Sequence, residues 1–267
     1  MFKVRRPGSR RMISLEVLSN TPISPGFTRL TLAGDDLEHL EDSGYDQCVR
    51  VFFPRDGQDG LQMPTLHNDA WMAQTLILPK ARRPWVRNYT VRAFRPEKLE
   101  VDIEIALHGD AGPGSSWAPR ARPGDPAGIF DEGISYLPFD GADWQLLVGD
   151  ESAVPAVLAI LERSPDSLTA EVFLEVAQTA DIRTRVTAPP GVRVHWLARD
   201  GGGAAPGMLA LEAVRQATLP PGRFYTWAAG ESKLPTGLRR HLVGDRGVAK
   251  ADIAFIGYWR AGRSSPG

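Results

Sequence analysis

The spacing of apolar residues changes character near residue 140, and that change constrains the fold more than any other feature of the chain. Before it, apolar residues fall in short runs at 13–18, 27–32, 49–53, 88–94, 99–107 and 128–130, separated by turn-forming residues. Val101-Asp102-Ile103-Glu104-Ile105 alternates apolar and acidic, as a strand with one face in a core does. Short strands at this spacing predict an antiparallel β-barrel. After residue 140, apolar runs at 144–148, 170–176, 192–198, 223–229 and 253–257 alternate with helical stretches at 153–162, 208–217 and 233–243. Apolar strands joined by helical crossovers predict a doubly wound parallel sheet, which binds ligands beyond the carboxyl ends of its strands.

Leu137-Pro138-Phe139-Asp140-Gly141 is the expected boundary, giving domains at 1–138 and 139–267 and an active site in the cleft between them. A long insert between Pro54 and Asn88 carries Asp56, Gly57, Asp59, Gly60 and His67 and reads as a loop or lid with little regular structure. Residues 201–207, Gly-Gly-Gly-Ala-Ala-Pro-Gly, read as a flexible connector.

Composition removes several function classes. At 267 residues the chain can bury a sizeable core, and its formal net charge of −1 gives no basis for nucleic-acid binding. Cys48 is the only cysteine, which excludes an intrachain disulfide framework and any multi-cysteine metal or iron–sulfur site. No metal site is expected. The basic segment 1–11 lacks the apolar run of a secretory signal, and no stretch approaches the roughly 20 apolar residues of a membrane span, so a cytoplasmic location is expected.

Arg87-Asn88-Tyr89-Thr90-Val91-Arg92 places two guanidinium groups, an aromatic plane and a hydroxyl on one extended segment. Alternation predicts Arg87, Tyr89 and Val91 on one face and Asn88, Thr90 and Arg92 on the other. An arginine here can clamp a pyrophosphate, Tyr89 can lie against a flat ring, and Thr90 can bond the ring's edge through hydroxyl or amide. These are the parts needed to hold a flavin dinucleotide, although an ordinary strand with solvated arginines has the same composition. Gly112-Pro113-Gly114-Ser115-Ser116-Trp117 sets small residues ahead of a short helix, where amides and hydroxyls can meet a pyrophosphate; a plain Gly-Pro turn is the alternative. Gly149-Asp150-Glu151-Ser152 ends a predicted strand and opens a helix, and Ala229-Gly230-Glu231-Ser232-Lys233 repeats that arrangement. Both suit an anionic ligand at free helix amides, and both are equally sensible capped helix starts. Asp150 and Glu151 repel phosphate if they point into the cleft.

The R-x-Y-T-x-R form at Arg87 to Arg92 resembles the flavin motif of the ferredoxin-reductase superfamily, in the version carried by the siderophore-interacting protein family of flavin-dependent ferric-siderophore reductases. Asp46-Gln47-Cys48-Val49-Arg50 through Phe53-Pro54, and Leu107-His108-Gly109-Asp110 with the Gly112 to Ala118 segment, are similar to further family segments. Gly149 to Ala156, Ala229-Gly230-Glu231 and Gly257-Tyr258-Trp259-Arg260 follow in the family's order.

The resemblance implies a two-domain ferredoxin-reductase-like fold, with FAD on the N-terminal antiparallel barrel and NAD(P)H on the C-terminal α/β domain. It implies FAD contacts from Arg87, Tyr89, Thr90 and Arg92, from His108, and from Gly112, Gly114, Ser115, Ser116 and Trp117. Thr90 is the implied catalytic group at the flavin's edge. Gly149, Asp150, Glu151 and Ser152, with Gly230 and Glu231, are implied to receive the nicotinamide dinucleotide; Ser152 stands where the family more often has Thr and keeps the hydroxyl. Arg50 replaces the family lysine after D-Q-x-V and, with Arg260, is implied to hold an anionic ferric siderophore.

The implied chemistry passes hydride from NAD(P)H to the flavin and single electrons to ferric iron, releasing Fe(II), with no obligatory protein acid or base. Reduced ferredoxin is an alternative donor. A general NAD(P)H:flavin or ferric reductase, and a flavin-containing carrier that binds the chelate without turnover, are the alternative functions.

Overall fold

A computed structural model describes residues 3–107 and 112–262. The chain divides into two compact units, one spanning Arg5–Ile134 and the other beginning at Ser135. In the first unit, β1 (Met12–Ser24), β2 (Phe27–Ala33), β3 (Cys48–Phe53), β4 (Trp85–Arg95), β5 (Glu100–Ala106) and β6 (Pro126–Gly133) close a barrel in the order β1-β2-β5-β4-β3-β6. Every neighbouring pair is antiparallel.

Alternation builds the barrel. Ile13, Leu15 and Val17 of β1, Val49, Val51 and Phe53 of β3, and Val101, Ile103 and Ile105 of β5 all enter one buried core. The intervening residues of β5 form an ionic ladder: Arg95 pairs with Asp102 at 2.7 Å, Thr31 donates to Asp102 at 2.8 Å, and Arg29 pairs with Glu104 at 2.6 Å. Burial alone raises the Asp102 carboxyl, but the bonds from Arg95 and Thr31 outweigh it and hold that group below the usual range.

The insert after β3 departs from expectation. It contains a helix, α1 (Trp71–Ile77), whose Trp71 is buried edge-on against Phe52 at 5.1 Å and near Phe130 at 6.2 Å. Phe52 and Phe130 face out of the barrel, on the sides opposite Phe53 and Ile129, and Met12, Val86, Leu61 and Met63 join them in a second apolar cluster. The insert is therefore the cover of an apolar stripe on the barrel's exterior. Met63 of the insert lies directly over Gly128 of β6, where a Cβ would meet its thioether end. A further short helix, α2 (Pro113–Trp117), precedes β6.

In the second unit, β7 (Trp144–Gly149), α3 (Val154–Arg163), β8 (Thr169–Val176), β9 (Gly191–Ala198), α4 (Met208–Gln216), β10 (Phe224–Glu231), α5 (Lys233–Gly244) and β11 (Ile253–Trp259) form a parallel sheet of order β11-β10-β7-β8-β9 with its crossover helices. Every residue of β7 is buried, as a central strand covered on both faces requires. Trp144, Leu146 and Val148 pack with Leu211 and Val214 of α4 and with Leu234 and Leu238 of α5. The chain runs outward from β7 to β9 and then returns to β10 on the other side. This puts the topological switch point at the carboxyl ends of β7 and β10, where such sheets take ligands. Among the described residues, no helix is long and apolar enough to cross a membrane.

Candidate active site

On the barrel, the Arg87 to Arg92 segment lies in β4, paired with β3 so that Asn88 opposes Arg50, Tyr89 opposes Val49 and Thr90 opposes Cys48. Tyr89 is half-buried and packs against the barrel core. A Cβ added to Gly114 would strike the Tyr89 phenol, so the start of α2 lies directly against that ring and only glycine permits the approach. Two segments 25 positions apart in sequence thus meet as the motifs require. Burial pushes the Tyr89 phenol up to about 12, with Arg87 opposing. The Arg87 guanidinium is half-buried, donates to the Val86 carbonyl at 2.6 Å and lies 5.4 Å from the Trp85 ring centroid. Ser115 donates to the Ala106 carbonyl at 3.3 Å, and the Ser116 amide donates to the Gly112 carbonyl at 3.0 Å.

Arg92 and Trp117, both expected at the FAD, have partners within the barrel unit. The pairing of Val91 with Ile103 and of Ala93 with Asp102 leaves Arg92 as the extra residue of a β-bulge. The bulge breaks the alternation, and Arg92 pairs with the buried Glu104 at 3.6 Å. Trp117 turns into the barrel, stacked on Phe53 with centroids 4.5 Å apart, and fixes α2 to the core. His108 lies outside the described residues.

Gln47 is a positioning residue that the sequence showed only as part of a motif. It is 1% exposed, its Nε2 donates to Asp131 at 2.7 Å and to the Glu41 carbonyl at 2.8 Å, and its backbone carbonyl receives the Val91 amide at 2.8 Å. Glutamine amid buried strands needs such partners, and that is the signal that finds it. Cys48 is chemically quiet: burial, with Asp46 and Glu132 adding, pushes its thiol up to about 12.

Arg50 donates to Glu132 at 3.0 Å and lies 5.8 Å from the Trp71 ring. Glu132 also binds Arg10 at 2.9 Å, so two cations share one carboxylate on this face. Arg260 is exposed after β11.

The switch point of the α/β unit is built differently. Gly149 and Ala229 are paired neighbours on β7 and β10. A Cβ on Gly149 would lie 2.6 Å from that of Ala153, and one on Gly230, whose φ is 141°, would lie 2.7 Å from the Asp150 carboxyl. Asp150 is wholly buried. Its carboxylate accepts from the Ser152 amide at 2.9 Å and hydroxyl at 2.6 Å, from the Glu231 amide at 2.5 Å and from the Trp259 indole at 3.1 Å. Glu231 accepts from the Lys233 and Ala261 amides at 2.7 and 3.2 Å. Glu151 grips Arg199 with both oxygens, at 2.7 and 2.9 Å.

Glu175, absent from the sequence-level candidates, binds Arg199 at 2.6 Å and receives the Gly207 and Ala210 amides at the start of α4. An acid closing the apolar run Val172-Phe173-Leu174 is the signal that such partners exist. Asp150, Glu151 and Glu231 are thus buried and bonded to donors of the protein itself. The accessible edge consists of the half-buried Ser152 and Ser232 and the exposed Gly257.

Residues 142–262 match the family model described as siderophore-interacting protein, and residues 16–135 match the siderophore-interacting FAD-binding domain. The ferric vibriobactin reductase of Vibrio cholerae is 33% identical over 252 residues, covering 94% of this chain and 90% of that protein. The chain belongs to the siderophore-interacting protein family. The crystal structure of a siderophore utilization protein from T. fusca superposes with a TM-score of 0.84 at 33% identity, covering 98% and 97% of the two chains. A ferredoxin NADP+ reductase from Neisseria gonorrhoeae, at 13% identity and a TM-score of 0.64 over 93% of this chain and 99% of that one, shares the fold.

The barrel residues fit the FAD that family membership implies. Tyr89 lies directly against Gly114, with the Arg87 guanidinium two residues away on the same strand and small hydroxyl residues in α2. A cation, a ring face and small polar groups are the donor set that a dinucleotide with a flat ring needs.

Proposed function

We propose that this chain is an FAD-dependent ferric-siderophore reductase that takes electrons from NAD(P)H and releases iron as Fe(II). The reading is carried by the meeting of Tyr89 and Gly114 on the barrel of a chain that matches siderophore-interacting models along both halves. When bound, FAD supplies two-electron uptake from a nicotinamide and one-electron delivery to ferric iron. The chain's own residues bind and orient. Arg87 and the amides and hydroxyls of Ser115 and Ser116 hold the pyrophosphate, and Gly112 and Gly114 allow the backbone to come close. Tyr89 supports the ring, and Thr90, buried beside it on β4, fixes the ring's edge.

On the barrel, Arg50 presents positive charge to an anionic ferric chelate and is tempered by Glu132, a carboxylate that it shares with Arg10; on the α/β unit, the exposed Arg260 is the candidate for the same role. The nicotinamide dinucleotide lies over Gly149 and Gly230, meeting Ser152 and Ser232 rather than the buried carboxylates. A cytoplasmic setting belongs to the same reading. Reduced ferredoxin is the second donor, favoured by the carboxylates that already hold the amides at the carboxyl edge of the sheet.

The test is anaerobic mixing of the FAD-loaded protein with NADH, NADPH or reduced ferredoxin, then with ferric catecholate and hydroxamate chelates while trapped Fe(II) is followed. Chelate-dependent turnover with repeated bleaching and return of the flavin is expected. Protein that takes up no FAD overturns the reading. Donor oxidation indifferent to chelate points to a general flavin reductase, and a single round without turnover points to a carrier.

A further inference from the structure

Six large apolar side chains among the described residues are well exposed, and four of them, Leu66, Met72, Leu76 and Ile77, fall within twelve positions of the insert. Leu76 is 65% and Ile77 83% exposed, at the end of α1. Met72 and Leu76 are one turn apart, on a face about 100° round the helix from the buried Trp71 and Thr75. Scattered exposed leucines are ordinary, but a group of them on one short helix is not.

The tip is held in this position. Trp71 anchors one end of α1 in the apolar cluster. Arg83 ties down the other end by donating to the Leu76 carbonyl at 2.5 Å and the Leu78 carbonyl at 2.7 Å. Gln74 donates to the Thr65 hydroxyl at 2.8 Å, and Gln58 donates to the Ala81 and Arg83 carbonyls at 2.7 and 3.1 Å.

Cations flank the C-terminal end of the tip, and the insert's exposed acids Asp56 and Asp59 come before Leu61 in sequence. Lys80 and Arg82 are exposed within five positions of Ile77. From Leu61 to Arg95 the sequence contains one carboxylate, Asp69, and it is bonded to Arg6 and Arg10. We propose that the α1 tip is a membrane-docking surface, on which Met72, Leu76 and Ile77 enter the interface of an anionic bilayer while Lys80 and Arg82 meet its headgroups. A protein partner, including a second copy of the chain, needs a surface of roughly 20–30 residues a side, far more than this tip offers. A bilayer needs only an apolar wedge with cations beside it. The docking is peripheral and adds to the reductase reading without depending on it.

Cosedimentation of the FAD-loaded full chain with vesicles of phosphatidylcholine alone, or with about one-third phosphatidylglycerol, tests the proposal without reference to turnover. Binding to the anionic vesicles is expected. It should fall at least tenfold in the double variant Leu76→Ser, Ile77→Ser, and about 10- to 30-fold in Lys80→Gln, Arg82→Gln or in 0.5 M salt, at about fivefold per cation. Flavin content should match the wild type in every variant. Equal partition to neutral and anionic vesicles, or unchanged binding by either double variant, overturns the proposal. So does an apolar tip that holds a dimer, seen as a mass in solution that halves in Leu76→Ser, Ile77→Ser while neither protein binds vesicles.

Discussion

The barrel and the α/β unit each display the family's motif residues, but they use them in opposite ways. On β4 and α2 the motif brings the Tyr89 phenol against Gly114, with small residues along the turn. At the ends of β7 and β10 the motif closes on itself: Asp150, Glu231 and Glu175 accept the amides that a phosphate would otherwise meet, and Arg199 lies between two carboxylates. Similar residue types at strand ends can therefore be used differently: on the barrel an aromatic ring, a guanidinium and small residues come together, while at the sheet edge carboxylates take up the local amides and the Arg199 cation. A buried carboxylate with four donors is part of the fold; the half-buried Arg87 guanidinium near Tyr89 is where we propose that FAD binds.

Glu175→Ala should break the comparison most sharply. It strips Arg199 of a buried partner and orphans two amides of α4, at a cost of roughly 3–5 kcal/mol to the α/β unit. Urea unfolding should show that loss while FAD affinity stays within about twofold. Equal damage to FAD binding would mean that the two units do not divide the work in this way.

Asp150 gives a pH-dependent version of the same contrast. Burial, with Glu151 adding, pushes its carboxyl up to about 7, against the bonds from Ser152 and Glu231. An acid whose native pKa is raised above its unfolded value stabilises the fold fully below about pH 4, and that contribution is lost as pH rises through about 7. The stability of the wild type relative to Asp150→Asn should therefore decline by up to a few kcal/mol across that window and level off above it. A difference independent of pH, measured by denaturation at fixed pH steps, would show that Asp150 does not titrate there.

On the barrel side, Arg87→Ala should weaken FAD by roughly 1.5–3 kcal/mol, about 10- to 150-fold in Kd by fluorescence titration, with the unfolding midpoint of the apo-protein nearly unchanged. A large loss of apo-protein stability would make Arg87 a packing residue like Arg92. The smallest effects are expected at the shared carboxylate. Arg50→Ala should raise KM for an anionic ferric chelate by about three- to tenfold, and Glu132→Gln should lower it by freeing both Arg50 and Arg10. Shifts of the same sign in the two variants would remove Arg50 from the substrate site.

Much of this was legible in the chain. Two-residue alternation marked the barrel strands, apolar runs marked the parallel ones, and the helices at 153–162 and 208–217 lie within a residue of α3 and α4. The bulge at Arg92 was not legible, because no glycine or proline marks it and strict alternation assigns that side chain to the wrong neighbours. The direction of Asp150 and Glu151 was also hidden, since Asp-Glu-Ser opens a helix equally well whether its acids face solvent or the strand ends. The insert misled through its polar residues, which obscured the one residue that organises it, Trp71.

The exterior stripe beneath that insert sets a rule for reading related chains. Phe52 and Phe53 are adjacent and both fully buried because one fills the barrel and the other is roofed by α1. A relative that shortens the segment between β3 and β4 must replace the outward member of that pair, and Phe130 with it, or leave a wet aromatic strip open to self-association. Insert length and the polarity of two distant strand positions should therefore change together, so that a bare doublet of aromatic residues in β3 reports a covering segment even where that segment is too divergent to align.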